Sequence, residues 1–498
     1  MIEREIKLAL PGRFVIPPLV LDGNSLTRES LPELDLRATY FDTADLRLAR
    51  HGATMRYRTG ESGGPRWTLK LPLATTAGTT LTRDELHFDA PRREPPPEAQ
   101  ALVTALVRRE PLVAVATLRT RRRRSSVLLD QEEVAELADD EVSVVEGRRI
   151  VSRFRELEIE AKSDDAPIEA LAEQLRHAGA TDAEPIPKVV RALGSRATAP
   201  ADVSIPSVPS TPTLADALAV SISDALLRLI RNDPPARLGD AEALHQMRVS
   251  LRRLRSDLTT LTDIIDTAWS DRVEPALRGV TDALGEARDL DVLVERLASQ
   301  PGVEGRLDSL LSILEARRST ARQAMSRALT DPTYPALLDE LVAAAAEPPV
   351  VERASAPAST LLPTLVMRAW DRLQRRADRL APTSDDDDFH RARIAAKRAR
   401  YAAELAARVL EGSQAAGAAG LAKRLADLQD QLGGLQDAAV AEVEVRKTLA
   451  GSAVDTGYAF EAGRLVEQQR ARAADARRGS LEAWKGVRRR RWRKWAAV

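Results

Sequence analysis

The sequence predicts a multidomain protein: a strand-rich N-terminal α+β domain, followed by an all-α pair of pseudo-symmetric helical bundles. Three observations predict this architecture. Residues 1–160 alternate apolar and polar side chains with a period of two, residues 214–495 follow the 3.6-residue period of helices, and a proline-rich segment separates them. The length of 498 residues also favours more than one domain, at about 100–200 residues each.

The first domain is predicted from alternating runs of residues that are separated by turn-forming segments. The runs cover residues 3–8, 54–58, 66–71, 82–88, 117–129 and 155–162. A helix is predicted over 167–178, and Gly179 ends it. We therefore expect an α+β domain over residues 1–196.

The second domain is predicted to be helical throughout and internally repeated. Residues 197–213 are rich in proline, alanine and serine, which predicts an extended linker before a helical domain over 214–495. Within that domain, two ordered sequence matches recur at offsets of 145 and 148 residues. Because chance does not readily give two matches at nearly one offset, we expect two repeats, at about 214–346 and 361–495.

Composition excludes several classes of function. The chain has 74 basic and 74 acidic residues and no cysteine, so disulfides, thiol nucleophiles, zinc–thiolate sites and iron–sulfur clusters are excluded. No run approaches the roughly 18 apolar residues of a membrane span. The first ten residues also lack the basic start and apolar run of an export signal. We expect a cytoplasmic protein with no membrane partner.

The repeated segment places cations on one face of a helix. Helix positions 0, 3, 7 and 10 fall within about 80° of one another. Such a stripe is usually a solvated face, but a solvated face has no reason to repeat a histidine followed by the same basic spacing. The duplication therefore favours an anionic ligand. The stripe residues are His245, Arg248, Arg252 and Arg255 in the first repeat, and His390, Arg393, Lys397 and Arg400 in the second.

An aspartate follows a glycine-containing break in both repeats. For Asp289 and Asp437 we expect a helix N-cap, which is a common role of aspartate. The alternative is that each carboxylate orients a nearby arginine or histidine through a charge-assisted hydrogen bond.

This half of the chain resembles the CHAD family, whose hallmark is a duplicated H-x-x-R-V/I-x-x-K/R-R-x-R helix followed by G-x-x-R/Q-D. The resemblance covers about 214–495 and implies two bundles whose basic helices face a shared groove that binds inorganic polyphosphate. Aromatic residues make up only 3% of the chain, which favours polyphosphate over nucleic acid, since single strands need stacking platforms. By position, the resemblance assigns polyphosphate binding to the eight stripe residues, to Arg253 and Arg398 beside them, and to Arg322 and Arg470.

Charged faces recur on the strands of the first domain. Glu3, Glu5 and Lys7 alternate, so all three lie on one face of a strand. In a barrel such faces converge inside, where carboxylates suit Mg²⁺ or Mn²⁺ and cations suit phosphate oxygens. No Walker loop is present. The pattern predicts metal-assisted phosphoryl chemistry. The other alternating sets are Arg56 with Arg58, Arg83 with Glu85, Arg119 with Arg121 and Arg123, and Glu156 with Glu158 and Glu160.

The segment Glu3-Arg-Glu5-Ile-Lys7 resembles the ExExK signature of the CYTH family, the triphosphate tunnel metalloenzymes. The resemblance covers residues 1–195 and implies a closed antiparallel barrel that hydrolyses triphosphates or, in some members, cyclises ATP. Further landmarks of the family occur in order at residues 40–43, 55–58, 67–70, 83–85, 136–140, 156–160 and 188.

Roles follow from this resemblance residue by residue. It implies Mg²⁺ or Mn²⁺ ligands at Glu3, Glu5, Glu156 and Glu158, with Glu160 as a replacement if the strand register is shifted by two. The catalytic residues implied are Lys7, Glu85 and Asp140, the last two as metal ligands or as groups that orient the attacking water. The implied triphosphate-binding residues are Lys7, Arg56, Arg58, Lys70, Arg83, Arg121 and Lys188.

One of these assignments is open, because Arg121-Arg-Arg-Arg124 offers cations on both faces of its strand.

The two resemblances together imply a metal-dependent hydrolase of inorganic triphosphate, polyphosphate or organic triphosphates, whose helical domain binds inorganic polyphosphate. Two alternatives stay open: a non-catalytic polyphosphate-binding, granule-associated protein, and an adenylyl cyclase of the CYTH type. The acidic residues favour an enzyme, because a pure anion binder gains nothing from repelling phosphate. We expect a cytoplasmic location with association with polyphosphate granules.

Overall fold

The computed structural model divides the chain into two compact units, Met1–Asp202 and Val203–Val498, called here the sheet domain and the helical domain. Each is described by itself. The boundary lies inside the predicted linker: Ala197 is buried in a core cluster of the sheet domain, and Asp202 binds His51 and Arg108. The structure describes residues 2–21, 24–61, 63–72, 80–92, 94–163, 166–184, 186–299, 308–451, 456–488, 492 and 495.

The sheet domain is built from antiparallel strands and five short helices. The strands are β1 (Ile2–Ala9), β2 (Val20–Leu21), β3 (Asn24–Ser25), β4 (Thr27–Ser30), β5 (Leu34–Asp42), β6 (Thr54–Thr59), β7 (Arg66–Pro72), β8 (Thr80–Phe88), β9 (Val113–Leu129), β10 (Glu132–Glu146), β11 (Arg149–Ala161) and β12 (Thr181–Asp182). The helices are α1 (Arg47–Arg50), α2 (Pro97–Leu102), α3 (Thr104–Val107), α4 (Ile168–His177) and α5 (Lys188–Leu193), and a 3-10 helix follows at Gly194–Arg196.

The main sheet brings distant strands side by side. Hydrogen-bonded neighbours follow the order β4, β9, β5, β6, β7, β8, β1, β11, β10, and β10 pairs again with β9. The fold class is confirmed as an antiparallel sheet domain followed by a helical domain. The pairing of β9 with both β5 and β10 supports the predicted closed barrel only in part.

Alternation along the strands separates an apolar face from a charged face. Ile6 and Leu8 of β1 are buried in one core cluster with Leu157 of β11 and Leu171 of α4. Since successive side chains of a strand point to opposite faces, the neighbouring Glu5 and Lys7 face the other way, where they line a cavity. The face of the sheet that packs on α4 is therefore apolar, and the opposite face carries the charged side chains.

Two long strands of this sheet, β5 and β10, were not among the predicted runs, and neither were the short strands β4 and β12. In β10, Glu136, Asp139 and Asp140 are buried although they are acidic, so the strand shows no simple apolar alternation. In β5, the run from Leu34 to Asp42 alternates only over its first half, and its last residues are buried on both faces. Buried acidic residues in β10 and burial of both faces in β5 therefore obscure the two-residue hydrophobic period of these strands.

The helical domain contains two sets of long helices. The first set is α6 (Leu214–Arg237), α7 (Ala241–Thr260), α8 (Thr267–Ala298), α9 (Asp308–Thr330) and α10 (Thr333–Ala346). The second set is α11 (Ala358–Ala377), α12 (Asp386–Val409), α13 (Gly412–Gly451) and α14 (Thr456–Val487). Two 3-10 helices lie at Thr262–Ile264 and Glu352–Ser355. No helix in the described ranges is both long enough and apolar enough to cross a membrane.

The two motif helices are α7 and α12, and they begin in the same way. Asp240 caps α7 by accepting hydrogen bonds from the N–H groups of Glu242 and Ala243, and Asp385 caps α12 by accepting from the N–H of Asp388. Each capping aspartate precedes the motif histidine by five residues. The duplication seen in sequence therefore extends to the way each helix starts.

Candidate functional site

A charged cavity of about 360 Å³ lies on the charged face of the sheet domain. Its walls come from alternate residues of β1, β5–β11 and from the start of α5. Predicted site residues that line it are Glu5, Lys7, Arg56, Arg58, Lys70, Glu85, Asp140, Glu158, Glu160 and Lys188. Residues from distant parts of the chain thus meet in one space, as the ordered landmarks predicted.

One side of this cavity is cationic. Lys70 Nζ lies 3.0 Å from Glu85 Oε2, and Arg56 Nη2 lies 3.9 Å from the other oxygen of Glu85. Burial alone would raise the pKa of Glu85, but Lys70 and Arg56 lower it to about 2. Burial and the neighbouring Arg56 lower the pKa of Arg58 to about 10. Glu85 is therefore a permanent anion that holds two cations in place, and Arg58 gains from any added negative charge.

The far wall holds a buried network of cations and carboxylates. Lys7 Nζ lies 2.9 Å from Glu158 and 3.3 Å from Glu5. Lys188 Nζ lies 2.9 Å from both Asp140 and Glu156 and also contacts Glu158. Burial alone would lower the pKa of Lys7 and of Lys188, but the neighbouring carboxylates raise both.

Arg122 completes this network. Its Nε donates to Asp140 Oδ1 at 2.8 Å, and its Nη2 donates to Asp140 Oδ2 at 2.7 Å and to Glu158 Oε2 at 2.6 Å. Burial would lower the pKa of Arg122, but Asp140 and Glu158 raise it well above its usual range. Burial would raise the pKa of Glu158, yet Lys188, Lys7 and Arg122 hold it well below its usual range.

The strand register resolves which late carboxylates face the cavity. Glu5 of β1 lies opposite Glu160 of β11, and Glu160 lies opposite Glu136 of β10, so the three carboxylates form one cross-strand row. Glu158 and Glu160 line the cavity, whereas Glu156 is buried against Lys188 and Arg191 outside its lining. The alternative with Glu160 in place of one earlier ligand agrees better with this geometry.

The structure corrects the predicted assignment of Arg121 to triphosphate binding. Its side chain points away from the cavity, is 62% exposed and pairs with Glu33. The inward residues of β9 are Thr120, Arg122 and Arg124. In a run of four arginines, residue type cannot show the parity of a strand; only its pairing with β5 and β10 does so.

Two predicted residues lie beyond what can be described of side chains. The backbones of Glu3 and Arg83 are paired with each other across β1 and β8, but both side chains fall outside the described residues.

The cavity contains several carboxylates of the kind that bind divalent metal ions. Carboxylate oxygens such as those of Glu5, Glu158 and Glu160 are the hard ligands that Mg²⁺ and Mn²⁺ prefer, so the chemistry of the residues fits. Among the side chains that the structure describes, no three acidic or histidine groups are already arranged around one metal position. Lys7 and Arg122 lie among these carboxylates instead.

In the helical domain, three half-buried cations from two helices have no ion pair or hydrogen bond with any described side chain: Arg252 of α7, and Arg393 and Lys397 of α12. Burial, followed by repulsion from Arg252 and Arg393, lowers the pKa of Lys397 to about 6. Burial also lowers the pKa of Arg252 and Arg393. A bound anion would therefore stabilise the charged forms of these three side chains.

Two cavities meet at this cluster and form what we call the cationic groove. One, of about 490 Å³, is lined by Arg252, Arg255, His390, Arg393, Lys397 and Arg398. The other, of about 560 Å³, is lined by Arg248, Arg252, Arg255 and Arg317. Because both cavities are lined by Arg252 and Arg255, they are adjacent, and cations of α7 and α12 line the groove that they form.

Several of the remaining predicted polyphosphate residues have partners. Arg248 donates to both oxygens of Asp289, at 2.6 and 3.0 Å, while Arg253 and Arg400 share Glu404. Neither cavity is lined by His245, Arg253, Arg400, Arg322 or Arg470. Arg322 binds Asp291, and Arg470 binds Glu442.

The N-cap expected at Asp289 and Asp437 is wrong. Helix α8 runs through Gly285 and α13 runs through Gly433 without a break. Asp289 instead orients Arg248, which was the alternative. A glycine within a long apolar periodicity costs only about 1 kcal/mol, so tertiary packing maintains the helix.

Sequence reasoning missed several lining residues, among them Tyr40, Arg122, Arg124, Glu136 and Lys162. Arg124 donates to Glu136 at 2.6 Å, and Lys162 lies 3.3 Å from the same carboxylate. Strand alternation groups Arg122 with Arg124 on one face of β9 and Glu136 with Asp140 on one face of β10. Which face points into the cavity follows only from the strand pairing.

A charged cavity in an antiparallel sheet domain, followed by a duplicated helical domain with a cationic groove, defines a class of two-domain proteins. Residues 1–190 match the CYTH domain and residues 221–446 match the CHAD domain. The uncharacterized protein Rv2226 of Mycobacterium tuberculosis (strain ATCC 25618 / H37Rv) is 31% identical over 488 residues, covering 91% of this chain and 90% of that protein. The chain belongs to the family of proteins that join a CYTH domain to a CHAD domain.

Two solved structures are similar to part of the chain. The CHAD domain from the plant Ricinus communis is 28% identical, with a TM-score of 0.47, and the match covers 56% of this chain and 96% of that one. PptA from Streptomyces chartreusis is 22% identical, with a TM-score of 0.46, and the match covers 55% of this chain and 100% of that one. The two domains support a function within the triphosphatase family.

Proposed function

We propose that the sheet domain is a metal-dependent triphosphatase that hydrolyses inorganic triphosphate, polyphosphate or an organic triphosphate. The observation that carries this proposal is the opposition of cations and carboxylates across one cavity. Arg56, Arg58 and Lys70 line it together with Glu5 and Glu158. Cations alone would suit a phosphate binder, whereas the carboxylates add the oxygen ligands that a divalent metal needs.

Each residue type has a distinct part in this chemistry. Arginine forks and lysine charges bind the phosphate oxygens and stabilise the charge that develops on them. Glu5, Glu158 and Glu160, with Glu3 on the same strand, would hold Mg²⁺ or Mn²⁺, which supplies Lewis-acid activation of the phosphoryl group when bound.

Asp140 is fully buried and bound by Arg122 and Lys188. We therefore assign it to holding these cations rather than to contacting water. Glu85 has the same part toward Lys70.

The cavity lining favours an inorganic substrate over nucleotide cyclisation. Of its described lining residues, Tyr40 and His87 carry the aromatic rings, and the Tyr40 hydroxyl lies 3.5 Å from Arg56. The rings of Phe41, Tyr57 and Trp67 pack on one another instead. A cyclase needs a pocket for adenine as well as for phosphates, and nothing in this lining resembles one.

We propose that the helical domain binds inorganic polyphosphate in the cationic groove. Arg252, Arg393 and Lys397 form no ion pair with a described residue, and burial, followed by repulsion from neighbouring cations, lowers the pKa of each. A polyanion would relieve this repulsion and bind two helices from two repeats at once. Binding of this kind would also localise the protein to polyphosphate granules in the cytoplasm.

The experiment is a phosphate-release assay with tripolyphosphate, ATP and thiamine triphosphate, each with Mg²⁺, with Mn²⁺ and with EDTA. Release that requires a metal supports the enzyme, and pyrophosphate with cyclic AMP from ATP would support the cyclase. Binding of polyphosphate without turnover of any substrate would support the non-catalytic alternative. As a matched control, Arg121→Gln removes an outward arginine adjacent to Arg122 and should leave turnover unchanged.

A further inference from the structure

A row of arginines on α11 lies outside the two repeated motifs. Arg368, Arg372 and Arg376 follow one another at intervals of four residues, which places them on one face of the helix, and all three are exposed. With Arg398 of α12 they line a small cavity of about 120 Å³. We call Arg368, Arg372 and Arg376 the α11 row.

The α11 row adjoins the cationic groove. The small cavity is lined by Thr259, Thr262 and Arg398, and the same three residues line the 490 Å³ cavity that contains Arg393 and Lys397. The two cavities are therefore adjacent at Arg398. Along α11 the row extends the cationic path by roughly 12 Å, at about 1.5 Å per residue over eight residues.

The row retains most of its positive charge. Asp263 is the one carboxylate in the lining that the structure describes, and it lies 3.5 Å from Arg368 at one end. Arg376 donates to the backbone carbonyl of Arg391 at 3.1 Å, which leaves its charge unneutralised. Arg372 forms no ion pair with a described residue.

The duplication does not account for the row. At the repeat offset of 145, its counterparts on α6 are Ser223, Leu227 and Arg231, of which Ser223 is buried. Like charges at intervals of four residues also disfavour a helix slightly. The second repeat thus carries a cationic feature that neither the fold nor the helix requires.

We propose that the α11 row is a second binding segment for long linear polyphosphate, continuing the path of the chain beyond Arg398. This proposal rests on the proposed polyphosphate binding by the cationic groove. A short chain is held by Arg252, Arg393 and Lys397 alone, whereas a long chain also contacts the row. The row therefore makes the protein bind long polyphosphate chains more tightly than short ones. Each guanidinium binds phosphate oxygens in two-point fashion.

The test compares Arg368→Gln/Arg372→Gln/Arg376→Gln with the charge-matched control Arg375→Gln/Arg424→Gln/Arg478→Gln, whose residues are exposed and line none of these cavities. Binding of tripolyphosphate and of long-chain polyphosphate is measured in EDTA, so that no chain is cleaved. In the α11-row variant, the Kd for long chains should rise about tenfold, with a shallower dependence on salt. Its Kd for tripolyphosphate should equal that of the control.

Three results overturn the proposal. Long-chain affinity equal to that of the control shows that the row takes no part. Equal loss for both lengths shows that the row belongs to the central cluster rather than extending it. Lost affinity for a DNA oligonucleotide with unchanged polyphosphate affinity assigns the row to nucleic acid.

A wild-type protein that binds neither length of polyphosphate instead overturns the proposed function of the groove. Single substitution of Arg372 by glutamate, which reverses one exposed charge, provides a second variant with the same expected direction of change.

Discussion

Replacing Arg122 with glutamine removes the cation that bridges Asp140 and Glu158 in the sheet domain. Three hydrogen bonds of 2.6–2.8 Å are lost, and Asp140 is fully buried. Removing one partner of a buried ion pair leaves an uncompensated charge, which destabilises a protein by about 3–5 kcal/mol. At a urea dependence near 2 kcal/mol per M, the midpoint of the sheet-domain transition should fall by roughly 2 M.

Arg121→Gln is the matched control because the two arginines are adjacent in sequence and differ only in the face of β9 that they occupy. Arg121 is exposed with its partner Glu33, and exposed ion pairs add little to stability. Its midpoint should equal that of the wild type. Arg122→Lys keeps the charge but loses the two-point fork, so its midpoint should lie between the other two.

The assay is urea denaturation followed by circular dichroism, with the two domains resolved as separate transitions. The helical-domain transition should not move in any of the three variants, and this serves as an internal reference. Equal midpoints for Arg122→Gln and Arg121→Gln would refute the parity assigned to β9 and, with it, the inward network.

Three further predictions concern pH and metal. Bound polyphosphate should raise the pKa of Lys397 from about 6, so binding takes up a proton; affinity should strengthen as pH falls from 8 to 6, as titration calorimetry would measure, and Lys397→Met should flatten the profile. Burial raises the pKa of Asp257 to about 7 despite the nearby Arg408 and the hydrogen bond from Ser221. The contribution of Asp257 to the stability of the helical domain is therefore fully present below about pH 4 and is lost as pH rises to 7, by a few kcal/mol. In thermal unfolding, Asp257→Asn should reduce the loss of stability over this pH range. EDTA should abolish phosphate release while leaving polyphosphate affinity unchanged, and parallel loss of both would contradict separate sites.

Much of the fold follows from period alone, because the apolar faces that pack on the cores are regular. Ile6 and Leu8 alternate with Glu5 and Lys7, and that alternation was enough to assign β1 and the composition of the cavity wall. The duplicated motif likewise predicted the helices α7 and α12 and placed Arg252 and Lys397 on their cationic stripes.

Register and pairing could not be predicted in the same way. Whether Glu156 or Glu160 faces the cavity depends on how β11 aligns with β1 and β10, and each choice keeps the same alternation. The side on which Arg121 lies depends on the partners of β9. Local sequence carries no record of either alignment.

Ion pairs with carboxylates of the protein separate some of the predicted polyphosphate-binding cations from the others. Arg248, Arg253 and Arg322 look equivalent to Arg252 in sequence, but each meets a carboxylate from another helix. Those carboxylates lie 31 to 151 residues away along the chain. Only the packing of the helices separates the cations held by the protein from those left for a ligand.

The central claim is that the cavity of the sheet domain hydrolyses a triphosphate with a metal held by its carboxylates. The most direct measurement is phosphate release from tripolyphosphate by the wild type and by Glu5→Gln, with Mg²⁺ or Mn²⁺ titrated in each. We predict that the wild type releases phosphate only with metal and that Glu5→Gln requires far more metal or loses turnover. Release without metal, or equal metal dependence in both proteins, would contradict the account.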